Sequence, residues 1–244
     1  QGFDSEYVKI LVDGVAVTVS AEAGAFPADA RLSVTKVAVY RQREADAAVE
    51  EAREDDVNVA VSYTFDIKVL DAEGNELQPA EGFAVSVSFA LAQVADENLE
   101  TSVYHIDDSG AAEKLDVTQE DEVTASVETE GFSLYTVEFT YNTLEYVLPG
   151  DSSVPMSEIL SALGLTGAVE AVEISNENLF TAWQDAGAWV VQALKPFSTT
   201  EWMKVTINDV VYEITVTDDN PNASLQVDSD FEEGTAGHYY INMS

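Results

Sequence analysis

The chain has 244 residues, and its 46 aspartates and glutamates against 10 lysines and arginines give a formal net charge of −36 at pH 7. A surface of this sign repels nucleic acid and anionic membranes, which excludes most proteins that bind a phosphate backbone. Hydrophobic residues still make up 46% of the chain, enough for packed cores, so the acidity does not indicate a disordered tail.

Several classes of chemistry lack the residues they need. The absence of cysteine removes disulfides, thiolate metal sites and cysteine nucleophiles, and two histidines do not favour a histidine-rich zinc site. No stretch of 18 apolar residues predicts a membrane span. The nucleotide-binding and hydrolase motifs that carry a known mechanism are also missing. Short loops leave little pocket that could raise the pKa of a catalytic acid, so we expect no enzyme activity, and no cofactor is predicted.

The N-terminal part reads as β-structure with one helix. Residues 7–12 and 15–19 flank an Asp-Gly turn signal and predict a hairpin, and residues 32–40 alternate with period two. Residues 43–55 predict a surface helix lying lightly on a sheet, because Val49 is its only large apolar residue. Further strands, at about ten-residue spacing typical of a β-sandwich, are predicted at 57–70, 83–92, 102–106, 112–117, 123–128 and 132–141.

Turn-forming residues near 142–153 indicate a boundary. We predict an antiparallel β-sandwich at 1–142, a small α+β module at 143–219 and a polar C-terminal segment at 220–244 that is either a docked strand or the start of a following module. The second module should open with a helix at 155–163, capped by Ser153 and ended by Gly164. Its strands are predicted at 168–174, 179–183, 189–193, 201–207 and 210–216.

The negative charge covers both parts. Residues 1–142 carry 30 acids against 8 bases, and residues 143–244 carry 16 acids against 2 bases. The acidity is therefore a property of the whole surface. Copies of such a chain that associate must do so through backbone pairing, apolar contacts or bridging cations, because bases for salt bridges are few.

Five stretches of the first part match a known family: Val17–Pro27, Leu32–Thr35, Phe65–Pro79, Val103–Asp108 and Gly131–Val137. Through them, about residues 8–140 resemble the ZU5-like β-sandwiches of large cell-surface proteins from Gram-positive gut bacteria. Residues 144–218 are similar to a small module that often follows in such proteins. The resemblance implies secretion, a multi-domain stalk and a location on the cell surface or in the cell wall.

Some ZU5 domains cut themselves at a His-Phe-Ser sequence, where the serine attacks the peptide bond before it. This chain has Phe132 and Ser133, but Gly131 stands where the histidine would be. The resemblance therefore implies self-cleavage only if His105 supplies the base. The competing interpretation is that these residues simply pack the last strand.

Two further sets of residues suggest ligands. Trp183 and Trp202 have polar neighbours and suggest an aromatic platform for sugars, whereas Trp189 lies in an apolar run and reads as core. Calcium is the metal that clustered carboxylates would hold. The best cluster is Asp218, Asp219, Asp228 and Asp230, although none of the acidic clusters has the spacing of a known calcium loop and each also fits a solvated turn.

Three classes of function follow from these observations. The leading one is a non-enzymatic structural or adhesive surface module, a spacer or an assembly subunit that pairs with other surface modules or its own copies. A filament subunit would assemble by strand addition at residues 7–12. The alternatives are an adhesin domain that binds carbohydrate, calcium or host proteins, and a self-cleaving domain broken between Phe132 and Ser133.

Overall fold

The structure is a computed structural model that describes residues 7–54, 56–150, 152–219, 226–227 and 241–242. The chain divides into two compact units, Gln1–Asn142 and Thr143–Ser244. Strands dominate the described part of the chain, and most neighbouring strands run antiparallel. The mainly β class predicted from the sequence is thereby confirmed.

The first unit contains two sheets. One has the strand order β1-β2-β6-β10-β9, and the other has the order β3-β4-β11-β7-β8, with β5 paired to β4. A helix, α1, follows β3, and a short 3₁₀ turn follows β6. The elements are β1 (Tyr7–Val12), β2 (Val15–Ala21), β3 (Arg31–Lys36), α1 (Val39–Ala52), β4 (Val57–Leu70), β5 (Glu76–Leu77), β6 (Val85–Ala90), the 3₁₀ turn (Ala92–Ala95), β7 (Glu100–Ile106), β8 (Ala112–Leu115), β9 (Thr118–Gln119), β10 (Thr124–Thr129) and β11 (Leu134–Asn142).

Both sheets contribute to one apolar core. Alternate residues of β2 and β6 bury their side chains against alternate residues of β4 and β11. The rings of Phe65 on β4 and Phe89 on β6 stack with centroids 5.7 Å apart, so the two sheets face each other across this core. The period-two pattern of the sequence is the direct cause, because successive side chains of a strand point to opposite faces.

Tight turns set the register of the predicted hairpin. Asp13 and Gly14 both have positive φ, as a two-residue turn between twisted strands requires, and Val12 pairs with Val15. The strand predicted at 57–70 forms with those bounds as β4.

Helix α1 begins and ends earlier than the sequence predicts. It starts at Val39 rather than residue 43, so Val39 and Tyr40 of the alternating stretch 32–40 lie in its first turn, which is exposed and carries no capping side chain. It ends at Ala52 because Arg53 turns into extended backbone, and its guanidinium pairs with Glu138. The prediction of a lightly packed surface helix is confirmed, since Ala45 and Val49 are its only buried residues.

The second unit contains a four-stranded sheet, β12-β18-β17-β14, and a three-stranded sheet, β13-β16-β15. Strand β12 runs parallel to β18, and neither β12 nor β13 was predicted from the sequence. Helix α2 ends at the predicted glycine, Gly164, in the left-handed conformation, but the predicted cap is wrong because Pro155 occupies that position. The elements are β12 (Leu144–Leu148), β13 (Ser153–Pro155), α2 (Met156–Leu163), β14 (Val169–Ile174), β15 (Phe180–Asp185), β16 (Ala188–Ala193), β17 (Glu201–Ile207) and β18 (Val210–Asp218).

The C-terminal segment is described only at two short strands. They are β19 (Gln226–Val227) and β20 (Ile241–Asn242), which pair antiparallel. The rest of residues 220–244, including the predicted metal ligands Asp228 and Asp230, lies outside the described residues.

Candidate functional site

Two of the sequence-predicted site residues meet where β11 begins. Strands β7 and β11 are antiparallel neighbours, and their register places His105 opposite Tyr135. Ser133 comes immediately before β11, on the same edge as the end of β7. His105 Nε2 lies 2.9 Å from Ser133 Oγ, so the contact that the self-cleavage hypothesis requires is present.

The surroundings of His105 keep its ring neutral. The imidazole is half-buried, and this burial lowers its pKa. The carboxylates of Glu113, Asp107 and Asp108 act in the opposite direction without cancelling the effect of burial. At pH 7 the ring is therefore an uncharged imidazole, the form in which one nitrogen can accept a proton.

The hydroxyl of Ser133 has two partners but only one proton. Besides His105, it contacts the carbonyl oxygen of Ile106, which can only accept a hydrogen bond. When the hydroxyl donates to Ile106, His105 Nε2 must carry a proton and donate to Oγ. In the other tautomer Nε2 is bare, and the hydroxyl can turn to donate to it. The site thus has a resting arrangement and one poised for proton transfer, which differ only in proton positions.

The peptide group before Ser133 is held from several sides. Gln78 Nε2 donates to the carbonyl oxygen of Phe132 at 3.2 Å, and Gln78 Oε1 accepts from the Phe132 N–H at 2.8 Å. The buried hydroxyl of Tyr135 donates to the carbonyl of Gly131, and burial raises its pKa to about 12, so it stays a donor. Ile67 N–H donates to the Ser133 carbonyl at 2.9 Å. The segment entering β11 is therefore fixed on both sides of the Phe132–Ser133 bond.

A cavity of about 420 Å³ borders this bond. Phe132 and Ser133 line it together with Gln78, and residues of α1 form the opposite wall. Its charged lining includes Arg41 and Lys68. Both form ion pairs with Asp66, and Lys68 forms a second ion pair with Glu76. The cavity beside Phe132 and Ser133 is large enough to hold water.

Replacing His105 by glutamine should make folding stability less sensitive to mild acid. The pKa of His105 is lower in the folded protein than in the unfolded chain. As the pH falls below about 6.5, His105 therefore binds a proton in the unfolded chain at a higher pH than it does in the folded protein. The stability linked to neutral His105 is thus present above that pH and lost below it. Urea unfolding at pH 7 and pH 5 should show a larger loss for the wild type than for His105→Gln, and equal losses would contradict the buried environment of the ring.

The two tryptophans predicted to bind sugars lie on strands of different sheets. Trp183 is on β15 and exposes 37% of its surface. Trp202 is on β17, where Lys204 Nζ lies 4.6 Å from the centre of its ring. Each could offer a ring to a ligand separately, and a sugar site at either one stays a prediction.

The described carboxylates of the predicted calcium site have structural partners. Asp218 is buried and accepts the Phe197 N–H at 2.9 Å. Asp219 accepts the Gly150 N–H at 2.9 Å. Among the residues that the structure describes, no three acidic or histidine side chains are grouped so that they could hold a metal ion.

Sequence reasoning missed Gln78 as a member of the site around Ser133. Its contacts with Phe132 span 54 residues and depend on β5 pairing with β4. Gln78 belongs to the stretch that carries the ZU5 resemblance, but no local signal marks it as a site residue.

Comparisons of this chain with models of known protein families, with curated proteins and with solved structures find no match. The class that the fold defines is a mainly β protein with several antiparallel sheets. Within the described ranges, no helix is both long and apolar enough to cross a membrane.

Proposed function

We propose that this chain is a non-enzymatic structural or adhesive module of a secreted, multi-domain surface protein from a Gram-positive bacterium. The observation that carries the proposal is a strand edge. Among the described residues, β1 is hydrogen-bonded only to β2, although it also lies beside β3, so the outward backbone groups of β1 lack a strand partner. The resemblance to ZU5-like modules supports the extracellular location, and the acidic surface suits a soluble module in screening salt.

Strand addition at β1 would make the chain an assembly or filament subunit. Leu11 on β1 exposes 71% of its surface, which leaves an apolar side chain for a neighbour to cover. Among the described residues, ion pairs within the molecule already involve five of the ten bases of the chain. Contacts between copies would therefore use backbone and apolar groups, or cations held between carboxylates. The strand donor that we propose is the C-terminal segment 220–244.

Blocking the β1 edge should abolish association. Val12 pairs with Val15 across the two-residue turn, so Leu11 directs its N–H away from β2, and Leu11→Pro removes that donor. Light scattering should show assembly of the wild type and of Leu11→Ala, which loses the side chain alone. The Leu11→Pro variant and a chain lacking residues 220–244 should stay monomeric. A wild type that is monomeric at all concentrations would rule out assembly and leave the role of a spacer.

A second candidate function is self-cleavage, and the 2.9 Å contact between His105 and Ser133 favours it. In this reaction Ser133 Oγ attacks the carbonyl carbon of Phe132 while its proton passes to His105 Nε2. The C–N bond then breaks, the Ser133 nitrogen takes the proton, and an ester joins Phe132 to Oγ. Water hydrolyses the ester and leaves fragments 1–132 and 133–244. The reaction occurs once per molecule, so it is compatible with a structural role, and the mass of the denatured protein tests it.

A role as an adhesin domain remains the third candidate. Exposed Trp183 is the single described feature that favours it, since a flat ring can stack on a sugar. Binding of host glycans, host proteins or calcium would be measured by titration calorimetry with Trp183→Ala as the comparison.

A further inference from the structure

We propose that Gln78 is the oxyanion donor for the acyl shift at the Phe132–Ser133 bond; this inference rests on the self-cleavage proposed above. The negative charge that forms when Ser133 Oγ attacks the carbonyl carbon collects on the Phe132 oxygen. Gln78 Nε2 already donates a hydrogen bond to that oxygen, at 3.2 Å. The donor is therefore in place before charge develops and needs no rearrangement.

The second contact of Gln78 fixes the direction of the first. Its Oε1 accepts the Phe132 N–H at 2.8 Å, so the side-chain amide grips both polar groups of one residue. A side chain held at both ends has little freedom to turn its N–H away from the carbonyl. The backbone supports this placement, because Leu77 pairs with Val69 on β4 and packs against the core.

Gly131 leaves space for the side-chain amide of Gln78 that makes these two hydrogen bonds. A Cβ placed on Gly131 would stand 3.3 Å from Gln78 Oε1, closer than an ordinary contact, so the amide would have to shift by a few tenths of an ångström. Gly131 occupies the position at which self-cleaving ZU5 sequences have histidine. In this chain the base and the oxyanion donor come from two other parts of the unit: His105 lies on β7, and Gln78 comes directly after β5.

The three residues form a complete set for acyl transfer. Ser133 supplies the nucleophile, His105 accepts its proton, and Gln78 stabilises the charge on the carbonyl oxygen. The cavity beside Phe132 and Ser133 admits the water that resolves the ester. Without Gln78 the resting structure would still contain the His105–Ser133 pair, but the transition state would lose its fixed donor.

Two substitutions remove the amide N–H of Gln78 while keeping most of the rest of its side chain. Gln78→Glu is nearly isosteric and keeps an oxygen for the Phe132 N–H, whereas Gln78→Met keeps the length and removes both polar groups. Gln93→Glu is the matched control, because Gln93 is also partly buried and donates from Nε2 to a remote partner, Tyr63, at 3.2 Å. Full-length chains are made by cell-free translation and chased, and the fraction cleaved is followed on denaturing gels, with circular dichroism confirming the fold.

We expect cleavage to slow by about 10²–10³-fold in Gln78→Glu and Gln78→Met, the range for loss of one oxyanion donor, and to be unchanged in Gln93→Glu. A folded Gln78→Met or Gln78→Glu chain that cleaves at the wild-type rate would overturn the role of Gln78 alone. A wild type that never cleaves would overturn the self-cleavage as well, so the two failures are distinguishable.

Discussion

Wild-type protein that is synthesised as one chain and then denatured is expected to separate into two polypeptides, residues 1–132 and 133–244. Before denaturation they stay together, because β11 remains in its sheet between β4 and β7. Ser133→Ala should abolish the break, and His105→Gln should slow it by about 10²–10⁴-fold, the usual effect of losing a general base. Intact mass spectrometry after denaturation measures all three proteins.

The pH dependence of this cleavage distinguishes a base from a structural histidine. His105 must be neutral to accept the proton of Ser133, so the rate should fall as the pH drops through its pKa, which burial places below the usual value near 6.5. Ser126→Ala is the control for Ser133→Ala, since the hydroxyls of both serines donate to a backbone carbonyl, that of Ser126 in the other sheet. A single undivided mass for the wild type, even after incubation with hydroxylamine to trap the ester, would refute the reaction.

Removing the carboxylate of Glu138 should give the largest loss of stability among single charge changes in the first unit. Glu138 on β11 is 2% exposed, and both of its oxygens accept from Arg53, at 3.1 Å and 2.6 Å. Glu138→Ala would leave the Arg53 guanidinium largely buried without this partner, which destabilises proteins by about 3–5 kcal/mol. We expect the lower end of that range, because Arg53 retains a path to solvent.

The variant Glu76→Ala serves as the control for Glu138→Ala. Glu76 pairs with Lys68 at 2.5 Å in the same unit, but both side chains are exposed, so its loss should change stability by less than about 1 kcal/mol. All three tryptophans lie between residues 183 and 202, so their fluorescence follows the second unit alone. Circular dichroism in urea should show an early transition for Glu138→Ala with the fluorescence transition unchanged. Equal effects of the two variants would contradict a buried ion pair.

Long alternating strands such as β4, and hairpins with their own turn signals, could be predicted from the sequence, whereas the short strand β12 could not. The hairpins at Asp13-Gly14 and Asn208-Asp209 carry their own turn signals, and positive φ at all four residues confirms them. Strand β12 was missed because it is stabilised by parallel pairing with β18, seventy residues further along the chain. No period within five residues, Leu144–Leu148, signals such a partner.

The candidate site around Ser133 also depends on contacts that are distant in the sequence. Ser133 and His105 were named from the sequence, but their contact depends on the register of β7 against β11, which no local pattern specifies. The predicted start of α1 was wrong because its first turn lacks the capping side chain by which helix starts are recognised.

Glu138 alternates with core residues on β11 as a solvent-facing residue would. It is buried because α1 covers that face and Arg53 pairs with it.

Hydrogen–deuterium exchange along β1 tests the proposed assembly role most directly, because strand addition would protect amides that the isolated molecule leaves without a strand partner. As the protein concentration rises, the outward amides of Lys9 and Leu11 should gain protection, while the amides already bonded to β2 should change little. Association that leaves exchange at Lys9 and Leu11 unchanged, or a protein that stays monomeric with both amides open, would contradict assembly through this edge.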